Sequence, residues 1–154
     1  MVEVITIDSQ IVLGRRAIGP YELIGKLIGE LFQYAFSNGA EIAGPPIFVC
    51  HEISAEDAER ANREGNANIE VALPIAKRIS GSEEITCYEL TGGQMAKVVH
   101  KGPYDGCNLA YEELFTWIGQ NGKSLAGNTR EVYLNDPTQV APEELLTEIY
   151  APLA

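Results

Sequence analysis

The chain repeats itself, and that repeat limits its possible folds more than any other feature. Residues 19–50, GPYELIGKLIGELFQYAFSNGAEIAGPPIFVC, and 102–133, GPYDGCNLAYEELFTWIGQNGKSLAGNTREVY, align without a gap at a constant offset of 83, with eleven identities in 32 positions. The matches are the GPY triplets, Glu30/Glu113, the LF pairs, the NG pairs, Ala43/Ala126, Gly44/Gly127 and Val49/Val132. Unrelated segments of average composition would share roughly two positions. A second correspondence follows at an offset of 78, where IEVALPI (69–75) lies over TEIYAPL (147–153) and matches Glu70 with Glu148 and Pro74 with Pro152. Because it closes each repeat, the chain reads as two copies of one unit.

After GPY, Ile24, Leu27, Ile28, Leu31 and Ala35 in the first copy, and Cys107, Ala110, Tyr111, Leu114 and Ile118 in the second, follow the spacing of an amphipathic helix. Each helix ends at Asn-Gly, where Gly39 and Gly122 supply the left-handed residue of a C-terminal cap. The runs before GPY are β-rich, and Gly92-Gly93 reads as a hairpin turn. PIFVC and REVYL read as short strands, followed by the EVALP and EIYAP strands. The unit is therefore strand, helix, strand, strand. Two units in tandem predict an α+β fold in which an antiparallel sheet carries two helices on one side, with halves at about 1–78 and 83–154 of a single domain. Residues 74–84 read as a linker. The insertion SAEDAERANREGNAN (54–68), which opens with the capping box Ser54-x-x-Asp57, reads as a short solvated helix.

Twenty-two acidic against eleven basic residues give a formal charge of -11, which repels phosphate backbones, and no basic cluster offsets it. Direct nucleic-acid binding is not expected. Cys50, Cys87 and Cys107 fall in no disulfide or zinc pattern, and His51 and His100 have no metal-ligand spacing, so no metal and no cofactor is expected. The N-terminus lacks a signal-peptide pattern and no apolar run approaches the ~18 residues needed to span a bilayer, so a soluble, cytoplasmic protein without a membrane partner is expected.

The GPY turn before each helix, WIGQNG, EVYLNDP and the closing PEELLTEIYAPL together resemble the GyrI-like small-molecule-binding domain, the effector-binding domain of AraC-type and MerR-type transcription regulators. The resemblance implies that the two modules form a curved antiparallel sheet with a central ligand groove, with a glutamate on the last strand facing it; the matching position is Glu148. The repeats begin almost at Met1, so the chain resembles the family's freestanding members, described as drug-binding proteins, DNA gyrase inhibitory proteins or hydrolases of cyclopropane-containing genotoxins.

In an extended strand Glu148 shares a face with Tyr150, opposite Thr147, Ile149, Ala151 and Leu153. Such a carboxylate is either solvated or aimed at a ligand, and the resemblance favours the ligand. Its twin Glu70 has Ala72 beside it instead of a tyrosine. Aromatic walls suit a cationic or planar ligand. Tyr111 sits mid-face on its helix, Trp117 flanks the apolar stripe, Tyr133 shares the face of Glu131, Phe48 is similar, and Tyr104 belongs to the second GPY turn. The expectation is capture of an amphipathic, cationic or planar aromatic small molecule with Glu148 as anchor. The alternatives are a hydrolase using Glu148 against a strained electrophile, and an inhibitor of a protein partner of the DNA gyrase type.

Overall fold

The structure is a computed structural model that describes residues 1–52 and 54–154. It is α+β. The chain divides into two compact units, one of Ser9–Thr91 and the other of Met1–Asp8 with Gly92–Ala154.

In the Ser9–Thr91 unit, β2 (Gln10–Gly19), β3 (Ile47–Cys50), β4 (Ala67–Pro74) and β5 (Ile85–Leu90) lie in the order β3-β4-β2-β5. Helix α1 (Leu23–Ser37) packs on β4 and β2. Helix α2 (Ala55–Glu64) is the expected insertion: Ser54 accepts a hydrogen bond from the Asp57 amide at 3.1 Å, and none of its residues is buried. In the other unit, β1 (Glu3–Ile7), β6 (Gly93–Lys101), β7 (Arg130–Tyr133) and β8 (Leu146–Pro152) lie in the order β1-β6-β8-β7, and α3 (Cys107–Gln120) packs on β6 and β8. β1 with β6, β2 with β4 and β5, β3 with β4, and β8 with β6 and β7 all pair antiparallel.

Both alignment offsets reappear as geometry. Val49 pairs with Glu70 as Val132 pairs with Glu148. Isolated bridges join Ile42 to Ile75 and Leu125 to Leu153, each position displaced by the same two offsets. Both helices end alike: Ala40 donates to the Ala35 carbonyl at 2.9 Å and Lys123 to that of Ile118 at 3.0 Å, with Gly39 at φ 68° and Gly122 at φ 64° between. These are Schellman closures, and glycine takes the left-handed position because it has no Cβ to clash there. The buried stripes also match, Leu27, Leu31 and Ala35 against Ala110, Leu114 and Ile118, with Leu31 and Leu114 wholly enclosed. Truncating either leucine to alanine costs about 3 kcal/mol by transfer and cavity terms.

The structure departs from the expected contiguous halves in its leading strands. β1 pairs with β6, and β5 pairs with β2, so each copy's first strand completes the sheet of the other copy. Gly92-Gly93 accordingly closes no hairpin between β5 and β6; Gly93, at φ 136°, turns the chain from one unit into the next. A sequence repeat fixes which segments are strands, whereas pairing partners depend on where the connections lead. Among the described residues no helix is long and apolar enough to cross a membrane.

Candidate functional site

Register decides which carboxylate meets which neighbours. On β8, Thr147, Ile149 and Ala151 are fully buried, and Ile149 and Ala151 belong to the core that α3 covers. Across the ladder, Ile149 pairs with Val98 and Glu131, and Thr147 pairs with His100 and Tyr133. Directly paired residues project to the same side. Glu131, Tyr133, His100 and the contact face of α3 therefore converge, while Glu148 and Tyr150 project to the other side.

On the helix side, Tyr111 of α3 donates its hydroxyl to Glu131 Oε2 at 2.5 Å and Tyr133 donates to Oε1 at 3.1 Å. Tyr104, in the 3-10 turn before α3, meets Tyr133 edge-on with centroids 5.4 Å apart, and Phe115 stacks on Tyr111 at 6.0 Å. Among the described residues Glu131 makes no ion pair. Burial raises its pKa above the ordinary carboxylate value; the two tyrosine hydroxyls and the nearby His100 pull it back only in part. Burial, then the Glu131 charge, raises the phenol of Tyr133 well above its usual value. The neighbouring Cys107 thiol is pushed up to about 12 by burial and by Glu131, so it stays protonated near neutrality and is no nucleophile.

On the opposite face, Lys97 Nζ sits 2.7 Å from Glu148 Oε2, and Tyr150 donates to Oε1 at 2.8 Å. Both charged side chains are largely buried, at 17% and 16% exposed. In the Ser9–Thr91 unit Glu70 is likewise occupied: His51 Nε2 lies 2.6 Å from Oε1, Arg16 Nη1 at 3.7 Å, and Tyr88 donates to Oε2. The Tyr88 ring crosses Gly14, where a Cβ would fall 2.2 Å from its Cε1. Glu70 and Glu148 are twins, yet their partners come from unrelated repeat positions.

Of the side chains singled out from sequence, Tyr104, Tyr111 and Tyr133 come together around Glu131. Glu148 lies on the other face of its sheet. Trp117 packs against the α3 core, beside a depression of about 350 Å³ that it lines with Leu109 and Glu113. Glu70 and Phe48 belong to the other unit, where Phe48 meets Tyr21 edge-on at 5.8 Å. Glu131 enters the sequence reading only as the residue whose face Tyr133 shares. Its signal lay in the repeat: Glu131 stands where the first copy has Phe48, Tyr133 where it has Cys50, and Tyr111 where it has Ile28. Three apolar or thiol positions of one copy are acidic or phenolic in the other. Among the described residues no group of histidine, cysteine and acidic side chains is placed to hold a metal.

The family model of the GyrI-like small molecule binding domain matches residues 1–154. The chain belongs to the GyrI-like family. A comparison with curated proteins returns no match. Among solved structures, the GyrI-like domain is similar to the EcmrR C-terminal domain over 100% of this chain and 97% of that one, with a TM-score of 0.88 and 23% identity. In the EcmrR–DNA complex the corresponding figures are 99%, 57%, 0.87 and 22%, so the domain spans little more than half of that longer chain. A hydrolase from Listeria innocua is similar over 99% of this chain and 91% of its own, with a TM-score of 0.74 and 14% identity. SAV2435, solved bound to tetraphenylphosphonium, is similar over 100% and 94%, with a TM-score of 0.62 and 12% identity. At these identities the likeness is one of fold.

Proposed function

We propose that this GyrI-like domain, acting as one unit over residues 1–154, captures a lipophilic cation or planar aromatic small molecule with Glu131 as the anchor and Tyr104, Tyr111 and Tyr133 as walls. The observation that carries the reading is the contrast between carboxylates. Glu70 and Glu148 each face a cationic side chain within 4 Å in the fold, whereas among the described residues Glu131 makes no ion pair and accepts from two phenols. A partly buried carboxylate bounded by tyrosine rings offers a cation both charge and π-faces. The rings cover Glu131, so entry displaces a tyrosine hydroxyl from the carboxylate and replaces that hydrogen bond with the ligand's charge. The net acidity of the chain favours cations at long range. The ligand of SAV2435 is of the same chemical class.

Trp117 lies outside the tyrosine cluster, so calorimetric titration with tetraphenylphosphonium is the suitable assay. Saturable binding is expected, weakened at least tenfold in Glu131→Gln, the scale of one desolvated charge interaction, and little changed in Glu148→Gln. Equal affinity in wild type and Glu131→Gln would sink the anchor role; loss in Glu148→Gln instead would return it to Glu148.

A second reading rests on the raised carboxyl of Glu131 beside Tyr111. A carboxylate whose pKa is moved toward neutrality suits general-base activation of water. Product analysis with a cyclopropane-bearing electrophile tests it, and turnover that survives Glu131→Gln removes it.

A further inference from the structure

Resting on the Glu131 reading, we infer that His100 is a positioning residue of that site, whose imidazole fastens the turn carrying Tyr104 so that this phenol closes against Tyr133. His100 is the half-buried, penultimate residue of β6, and its Nε2 lies 2.8 Å from the Pro103 carbonyl, a geometry in which the ring N–H donates across the turn. The next residue along the chain is Tyr104. Its ring meets Tyr133, and Tyr133 in turn donates to Glu131. The imidazole thus stands two hydrogen bonds and one ring contact from the carboxylate.

The turn is shaped around that ring. A Cβ on Gly106 would approach His100 Cε1 to 3.1 Å and Nε2 to 3.3 Å, and one on Gly102 would come within 3.8 Å of Nε2. Gly102 also holds φ 127°, which side chains rarely adopt. His100 is therefore seated in a space that Gly106 leaves open, beside a Gly102 whose φ requires glycine.

The twin turn shows that a GPY turn folds without an imidazole. Ala17 occupies the position equivalent to His100, and Phe48 that of Glu131. There the same backbone bond forms, from the Leu23 amide to the Pro20 carbonyl at 3.1 Å, against Gly106 to Pro103 at 3.0 Å. Tyr21 is instead anchored by Glu52, which accepts its hydroxyl at 2.5 Å, and by Asn62, which accepts its amide at 2.8 Å. In the first copy the tyrosine is tied down by a carboxylate of its own. In the second the tyrosine hydroxyl is left for the site, and the histidine holds the turn from beneath. Imidazole and tyrosine-bound glutamate occur together in one copy, and both are replaced by apolar residues in the other.

The experiment places 3-fluorotyrosine at position 104 and compares wild type, His100→Ala and His100→Gln, with melting temperatures confirming that each is folded. In the ligand-free protein His100→Ala is expected to shift and broaden the fluorine resonance, while His100→Gln, whose amide can still donate to Pro103, restores it. Tetraphenylphosphonium affinity should fall about fivefold in His100→Ala, the loss expected for one positioning hydrogen bond, and His100→Ala should add nothing in a Tyr104→Ala background. An unchanged fluorine resonance in His100→Ala, or fully additive losses with Tyr104→Ala, would overturn the inference. If His100→Ala does not fold, a wild-type resonance in His100→Gln supports it and a shifted one opposes it. Should wild type bind no tetraphenylphosphonium, the Glu131 reading fails alone, because the fluorine comparison needs no ligand.

Discussion

Tyr111 reaches from helix α3 to strand β7 and donates its hydroxyl to Glu131 at 2.5 Å. The bond favours the ionised carboxylate, opposing the burial that raises its pKa. Tyr111→Phe keeps the ring and deletes the donor. The Glu131 carboxyl midpoint, followed by carbon NMR, is then expected to climb further. A midpoint that stays where it was would show that the hydroxyl does not act on the carboxylate in solution.

Glu131 should also cost stability at neutral pH. Its folded pKa is raised, so the folded state holds its proton more tightly than the unfolded chain. Stability therefore falls as pH rises from the ordinary carboxylate value through the raised folded one, and levels off beyond it. Glu131→Gln has no such proton to lose. The melting temperature of the variant minus that of wild type is expected to increase from acid to neutral pH; a difference independent of pH would contradict the burial argument.

The Lys97–Glu148 pair is a structural tie in this account. With 17% and 16% exposure, neither partner has enough water to replace the other. Glu148→Ala is expected to cost about 3 kcal/mol in urea denaturation, because it leaves an uncompensated buried charge. Adding Lys97→Met should recover much of that loss while leaving cation binding in place. Full stability in the single variant would assign Glu148 to the surface instead.

Gly14 is required by a neighbour, since its own backbone shows no positive φ. A Cβ there would fall 2.5 Å from the Tyr88 hydroxyl, which itself reaches Glu70. Gly14→Ala is expected to destabilise the fold by about 2 kcal/mol, the scale of an overpacked buried site. The cost should largely vanish in a Tyr88→Ala background, since the clash is with that ring; a persistent cost would place the constraint in the backbone.

Much of the molecule was legible without coordinates. The repeat, the two amphipathic helices with their Asn-Gly ends and the capping box at Ser54 are local patterns, and local sterics and periodicity suffice to set them. Alternation along β8 even put Glu148 and Ile149 on opposite faces correctly. It was silent on what stands beside each face, because that depends on neighbouring strands. Lys97 reaches Glu148 from the adjacent strand β6, at a position that is Gly14 in the other copy. The exchange of β1 and β5 between the two copies was hidden for the same reason, since a strand's own residues do not name its partner. By itself the sequence determined two copies of one unit with helices and strands in place. Only the tertiary structure, by fixing register, decided that Glu148 meets a lysine and that Glu131 is the carboxylate enclosed by tyrosines.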